Sequence, residues 1–153
     1  MDKAKIYYRM GHYFADEKDY DLAINAFDKV INLDSEYANA YCMRGSCYFE
    51  KEMFDKAIID TDKAIEIKPE TAVFYFNRGL IYFNLNKYTE AIANFSKAIS
   101  LGLKAYDIYA FRGEAYAELG RFSESEEDFN QASLFGFLEE LFDSRVVLLA
   151  DEA

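Results

Sequence analysis

The sequence has few residues of the kinds that break helices, bind metals or cross-link chains. Its 153 residues include one proline, two cysteines, one histidine and no tryptophan. Because proline interrupts helices, its scarcity predicts long continuous helices. Cys42 and Cys47 are five residues apart, about 140° around a helix, so they cannot pair with each other and we expect two reduced thiols. His12 has no nucleophile motif or metal-spaced cluster around it, so we expect no enzyme activity, no metal and no cofactor.

The sequence also lacks long apolar runs and an excess of bases. No stretch approaches the roughly 18 apolar residues that span a bilayer, and the N-terminal segment has no apolar run of signal length. We therefore expect a soluble, cytoplasmic protein without a membrane partner. The formal net charge is −11, and residues 106–153 hold 12 acids against 3 bases. Such a chain repels phosphate, so we expect no nucleic-acid partner.

A period of 34 residues organises the chain. Gly11, Gly45, Gly79 and Gly113 each interrupt a segment that otherwise has a helical pattern, and consecutive glycines are 34 residues apart. A glycine inside a helix costs roughly 1 kcal/mol relative to alanine, so its regular use predicts a close approach between helices. The units, counted with glycine at position 8, are 4–37, 38–71, 72–105 and 106–139.

Each unit repeats a pattern of large and small residues. Position 4 is always tyrosine, positions 11 and 17 are always aromatic, and position 20 is alanine in three units. Positions 4, 8 and 11 fall on one face of a first helix, and positions 20, 24 and 27 fall on one face of a second. Polar residues fill the segment between them, as in a turn. Each unit is therefore predicted to be a pair of helices.

This pattern resembles the tetratricopeptide repeat (TPR) family, which has an aromatic at position 4, glycine at 8, tyrosine at 11, alanine at 20 and 27, an aromatic at 24 and proline at 32. Pro69 alone keeps the proline, while Thr61 and Ser125 depart at positions 24 and 20. The resemblance implies an all-α fold, a right-handed superhelical solenoid of four helix pairs within one domain, 1–153. Val147 stands where a fifth unit would have glycine, so we expect a capping helix at about residues 140–150.

In the TPR family, positions 2, 5, 9, 12 and 13 of the first helices line a concave groove. Here those positions carry clustered aromatic residues with an acidic rim, which is typical of peptide-binding surfaces. The resemblance implies a partner-binding groove formed by Tyr8, His12, Cys42, Phe49, Val73, Phe76, Leu80, Phe83 and Glu114. The alternative is that the aromatics at position 12 pack against neighbouring first helices.

One ligand class of the family can be compared directly. TPR proteins that hold the acidic C-terminal tails of heat-shock chaperones use lysine, asparagine and arginine at fixed positions of three successive units. Counted from the first unit, this chain has Tyr8, His12, Met43, Val73 and Asn77 there, and none matches. Counted from the second unit, only Asn77 matches. The sequence therefore predicts no carboxylate clamp and a neutral or basic protein or peptide partner with apolar anchors.

Position 7 is Arg44, Arg78 and Arg112 in the last three units. We expect each arginine to pack its stem between helices and to pair with an acid such as Asp60 or Asp128, rather than to form a basic stripe.

These features favour a non-catalytic protein–protein interaction scaffold whose groove binds a peptide or helix. Two alternatives remain. One is a self-assembly element, in which Val147 and Leu148 of the apolar tail join two chains as a homodimer. The other is a small acidic secretion chaperone of the TPR type.

Overall fold

The computed structural model describes the backbone of residues 2–151 and the side chains of residues 2–136. That part of the chain forms eight α-helices and no strand, so the predicted all-α fold is confirmed. The helices are α1 Lys3–Asp16, α2 Tyr20–Leu33, α3 Ala38–Glu50, α4 Phe54–Ile67, α5 Ala72–Asn84, α6 Tyr88–Ser100, α7 Tyr106–Glu118 and α8 Phe122–Asp151. Odd-numbered helices are the first helices of the units, and even-numbered helices are the second.

Every first helix ends at the same kind of turn. The residue at position 15 has a left-handed backbone in all four units, with φ between 57° and 72°, and is Lys18, Glu52, Asn86 or Gly120. In the first unit the Lys18 amide donates to the Ala15 carbonyl at 2.9 Å, and the Asp19 amide donates to the Phe14 carbonyl at 2.8 Å. This pair of bonds is a Schellman motif, which satisfies the last carbonyls of the helix and reverses the chain into the second helix.

The glycines at position 8 lie where the two helices of a unit meet. A Cβ atom on Gly11 would be 2.5 Å from the ring of Phe27, and one on Gly79 would be 2.6 Å from the ring of Phe95. Both rings are fully buried. In the second unit, Thr61 replaces the aromatic residue, and a Cβ on Gly45 would still lie 3.2 Å from the Ala57 carbonyl oxygen. The predicted close approach is confirmed, since the ring or backbone occupies the space of a side chain.

Units stack on their sequence neighbours. Each second helix contacts the following first helix, and successive first helices contact one another, whereas α2 does not contact α4 and α4 does not contact α6. A stack in which only the first helices approach each other curves with those helices on its inner side. We call the exposed faces of α1, α3, α5 and α7 on that side the inner surface.

The end of the chain differs from the prediction of a separate capping helix at about residues 140–150. The backbone from Phe122 to Asp151 is one helix of 30 residues. Gly136 stands at position 31, where Gly102 follows α6 with a left-handed backbone, but the helix continues through Gly136. Val147 and Leu148, the predicted self-association residues, lie outside the residues whose side chains the structure describes.

Candidate functional site

Four phenylalanine rings of α5, α6 and α7 pack together at the inner surface. Phe83 of α5 packs edge-on against Phe111 of α7, with ring centroids 5.6 Å apart. Phe95 of α6 lies beneath them, 5.9 Å from Phe76 and 6.3 Å from Phe111. Phe95 is fully buried, while the other three rings are half-buried. Each of those three therefore keeps part of its surface in contact with water after the core has formed.

A small cleft continues the inner surface towards the N-terminus. It has a volume of about 130 Å³ and lies between α3 and α5. Its lining residues are Gly45, Ser46, Phe49, Glu50, Thr61, Asn77, Leu80 and Ile81. The cleft is thus an apolar recess that carries a carboxylate, an amide and two hydroxyl groups.

The two aromatics at position 12 behave differently. Phe83 packs on the neighbouring first helix through Phe111, as the alternative interpretation expects. Phe49 packs on Phe54 of α4, the second helix of its own unit, at 5.8 Å. Both are half-buried. The neighbouring first helix therefore covers part of the Phe83 ring. The Phe49 ring is covered by the second helix of its own unit.

A second aromatic group lies on the N-terminal unit. Tyr8 and His12 are one turn apart on α1, with ring centroids separated by 4.6 Å. Both rings contact Phe27, at 5.8 and 5.9 Å, and Tyr8 also approaches Tyr37 at 5.1 Å. Partial burial, together with the nearby Tyr37, raises the pKa of Tyr8 above its ordinary value. This group is continuous with the core of the first unit.

The remaining predicted groove residues occupy contrasting environments. Cys42 is only 4% exposed, and its Sγ accepts a hydrogen bond from Nδ2 of Asn77 at 3.1 Å. Burial raises the pKa of this thiol to about 11. Val73, by contrast, is 44% exposed, and Glu114 is also exposed. Cys42 therefore supports the inner surface from below, whereas Val73 and Glu114 are open to a ligand.

Phe111 is an inner-surface residue that sequence reasoning missed. It occupies position 6 of the last unit, outside positions 2, 5, 9, 12 and 13, from which the groove is predicted. Its contacts with Phe76, Phe83 and Phe95 make it the central ring of the four. The signal was present in the sequence, because position 6 is one helical turn from positions 2 and 9, which belong to the predicted groove.

The arginines at position 7 join successive units. Nη1 of Arg44 contacts Asp28 of the preceding unit at 2.6 Å, while Nε contacts Asp60 of its own unit at 2.7 Å. Arg78 bridges Asp62 and Asn94 in the same way.

Arg112 bridges Ser96 and Asp128. The hydrogen bonds that Arg44 donates to Asp60 and Arg112 donates to Asp128 raise the pKa of the two guanidinium groups. The expected arginine pairs are confirmed, and their charges are used within the fold.

The described residues contain no group of three or more histidine, cysteine, aspartate or glutamate residues placed to hold a metal ion. None of their helices combines the length and the apolar character needed to cross a membrane.

The chain belongs to the tetratricopeptide repeat family. Family models with that description match residues 4–37, 38–70, 72–101 and 106–133. Together with the eight-helix architecture, these matches confirm a TPR solenoid.

Several solved structures share this fold. A crystal structure of MamA superposes with a TM-score of 0.82 at 26% identity, covering 90% of this chain and 80% of that one. MamA from Desulfovibrio magneticus RS-1 gives 0.78 at 21% identity, covering 87% and 75%. The first TPR domain of Spaghetti (RPAP3), bound to the HSP90 peptide SRMEEVD, gives 0.74 at 23% identity, covering 77% and 94%. Comparison with curated protein sequences gives no match.

Proposed function

We propose that this chain is a non-catalytic interaction scaffold whose inner surface binds a peptide or helix of a partner protein. The observation that supports this most directly is the group of half-buried rings Phe76, Phe83 and Phe111 beside the cleft at Phe49 and Leu80. Aromatic residues that keep exposed surface next to a recess are the usual anchors of protein interfaces. Membership of the TPR family supports the same class of function.

The proposed partner is neutral or basic and supplies apolar anchors. Exposed Glu50, Glu114 and Glu118 border the inner surface, whereas the arginines of position 7 are occupied by inter-unit contacts. The surface would therefore repel a carboxylate-rich tail and accept apolar side chains flanked by lysine or arginine. Two further properties, a cytoplasmic location and the lack of enzyme activity, stay predictions, as does the alternative role of an acidic secretion chaperone.

The test is the double substitution Phe76→Ala with Phe83→Ala. A partner is first identified by mass spectrometry of proteins that co-purify with the tagged chain. Titration calorimetry should then show affinity at least tenfold weaker for the double variant, about 1.4 kcal/mol. Leu33→Ala is the matched control, because Leu33 lies on second helix α2 and is 53% exposed.

Circular dichroism must show that both proteins remain folded. Full affinity in the folded double variant would contradict the proposed groove. Binding of the peptide SRMEEVD with micromolar affinity would contradict the lack of a carboxylate clamp, because Met43, Val73 and Asn77 stand where the clamp residues would be.

A further inference from the structure

An apolar stripe is exposed on the first helix. Ile6, Met10 and Tyr13 lie on one face of α1, at positions 3, 7 and 10 of the first unit, and are 38%, 40% and 61% exposed. Residues three and four apart on a helix are neighbours, so these side chains form a continuous strip. Isolated exposed apolar residues are ordinary, but an aligned strip of three calls for an explanation.

The later units show what covers this strip in the fold. Positions 3 and 10 are almost completely buried in all three later units. The residues at those positions are Ala40, Phe74, Ile108, Cys47, Ile81 and Ala115. In the second unit, Ala40 and Cys47 pack in one cluster with Ala23, Phe27 and Val30 of the preceding second helix. The exposed face of α1 therefore corresponds to the face by which each later first helix packs on the preceding helix pair.

At the opposite end of the stack, aromatic rings of α8 lack the cover that a following unit would give them. Phe129 of α8 is 47% exposed, although Phe27 and Phe95 at the same position are fully buried. Phe95 is covered by Phe111 of the following unit, with stacked rings 6.3 Å apart. Phe122, also on α8, is 72% exposed. The α7–α8 pair therefore leaves uncovered two rings that a following first helix would meet.

The charges at the two ends are opposite and in register. Within the chain, Nδ2 of Asn77 at position 6 lies 3.5 Å from Oγ of Ser46, which is position 9 of the preceding unit. The corresponding residues at the two ends are Arg9 on α1 and Glu114 on α7. Both are exposed. If one chain followed another in the same register, Arg9 would meet Glu114.

We propose that a second copy of this chain docks its α1 on the α7–α8 pair of the first, so that the repeat stack continues from chain to chain. Arg9 then pairs with Glu114 of the other copy and lies beside Phe129, while Tyr13 packs against Phe122. The contact joins two different surfaces, so it propagates into an open chain instead of closing as a twofold dimer.

We expect the contact between two copies to be weaker than the contact between units of one chain. Glu126 and Ser133 of α8 stand where every internal unit has isoleucine, and Met10 cannot form the ion pairs made by the later arginines. The receiving face is therefore less apolar than an internal interface, and its association depends on the charge pair. We expect assembly at tens to hundreds of micromolar that weakens as salt screens the charges.

Reciprocal charge variants test this arrangement by sedimentation velocity. The wild-type chain should show a mass that rises with concentration beyond two chains. Arg9→Glu and Glu114→Arg should each stay monomeric at least tenfold higher in concentration. An equimolar mixture of the two should associate again, since every junction then pairs opposite charges. Lys104→Glu and Glu70→Arg, both exposed at position 33, make the same charge changes away from the contact and should assemble like wild type.

Three results would overturn the proposal. A monomeric wild-type chain up to several hundred micromolar is one. A dimer that stops at two chains is another. The third is association that Arg9→Glu and Glu114→Arg leave unchanged. Tyr13→Ser gives an independent check, because it should weaken assembly without altering charge. Circular dichroism confirms that each variant is folded before its mass is interpreted.

Discussion

At position 8 of each helix pair, a neighbouring ring or helix occupies the space that a side chain would need. At Gly79, an added Cβ would lie 2.6 Å from the ring of Phe95. We expect Gly79→Leu to lower the free energy of unfolding by about 2 kcal/mol or more, because overpacking outweighs the roughly 1 kcal/mol gained in helix propensity. Urea denaturation measures this difference.

Ala93→Leu is the control for that substitution. Ala93 is exposed on α6, so leucine there adds bulk without meeting the core. Its unfolding midpoint should stay close to that of wild type. A Gly79→Leu midpoint equal to or above wild type would mean that position 8 is not a close contact.

The buried thiols make stability depend on alkaline pH. Burial raises the pKa of Cys42 and of Cys47 to about 11, above the value of about 9 for an exposed thiol. Their contribution is fully present below pH 9 and is lost as the pH rises towards 11, because the unfolded chain then releases protons that the folded chain retains. We expect wild type to lose more stability between pH 8.5 and 10.5 than the variant with Cys42→Ala and Cys47→Ala.

Urea melts at a series of pH values measure that difference, which compares two proteins with the same tyrosines and lysines. The free thiols should also react slowly with iodoacetamide at pH 8 in the folded chain. Parallel pH profiles for the two proteins would contradict the assigned environment of the thiols.

The arginine bridges between helices differ in how deeply their acidic partners are buried. The Asp128 side chain that Arg112 contacts is only 4% exposed, whereas Arg78 contacts Asp62, which is 51% exposed, and the neutral Asn94. We expect Arg112→Met to cost about 3–5 kcal/mol, because it leaves a buried carboxylate without a partner. Arg78→Met should cost about 1 kcal/mol. Thermal or urea unfolding of the two variants gives the comparison, and equal losses would refute it.

The element pattern was predictable because it rests on residues that recur. The spacing of Gly11 to Gly113 and the column of tyrosines at position 4 indicate helix pairs without further information. The glycines at position 8 also predicted the close approach of the two helices, which the structure shows at Phe27 and Phe95.

Other features could not be predicted from the residues that recur at fixed positions of the unit. The stripe of Ile6, Met10 and Tyr13 is recognised only when the burial of the same positions in later units is known. The central position of Phe111 depends on how far α7 leans over α5, a distance that spacing does not fix. The unbroken α8 departs from the period at Gly136, which stays helical although Gly102 at the same position follows the end of α6.

For the whole molecule, the contacts connect helices that are close in sequence. We expect residues 1–105 to fold without the last unit, because the first three helix pairs keep all their mutual contacts. Ile92→Glu with Ile99→Ser keeps the new end polar, copying Glu126 and Ser133 of α8. The helical circular dichroism signal should persist, and the dependence of stability on urea should fall to roughly two thirds of its full-length value.

Loss of helical structure in this truncated chain would contradict the prediction. A second truncated protein without the two isoleucine substitutions distinguishes unfolding from aggregation. If that protein aggregates while the substituted one remains soluble and helical, the apolar end of α6 accounts for the difference.

The stacking of each helix pair only on its neighbours also bears on how the protein is made. A ribosome adds about 5–20 residues per second, so a 34-residue unit takes roughly 2–7 seconds to appear. Helices and local collapse form in microseconds. Each new pair can therefore pack on the previous one while the next is still being synthesised. The growing chain meanwhile exposes one apolar second-helix face for seconds, long enough for a chaperone or another nascent chain to encounter it.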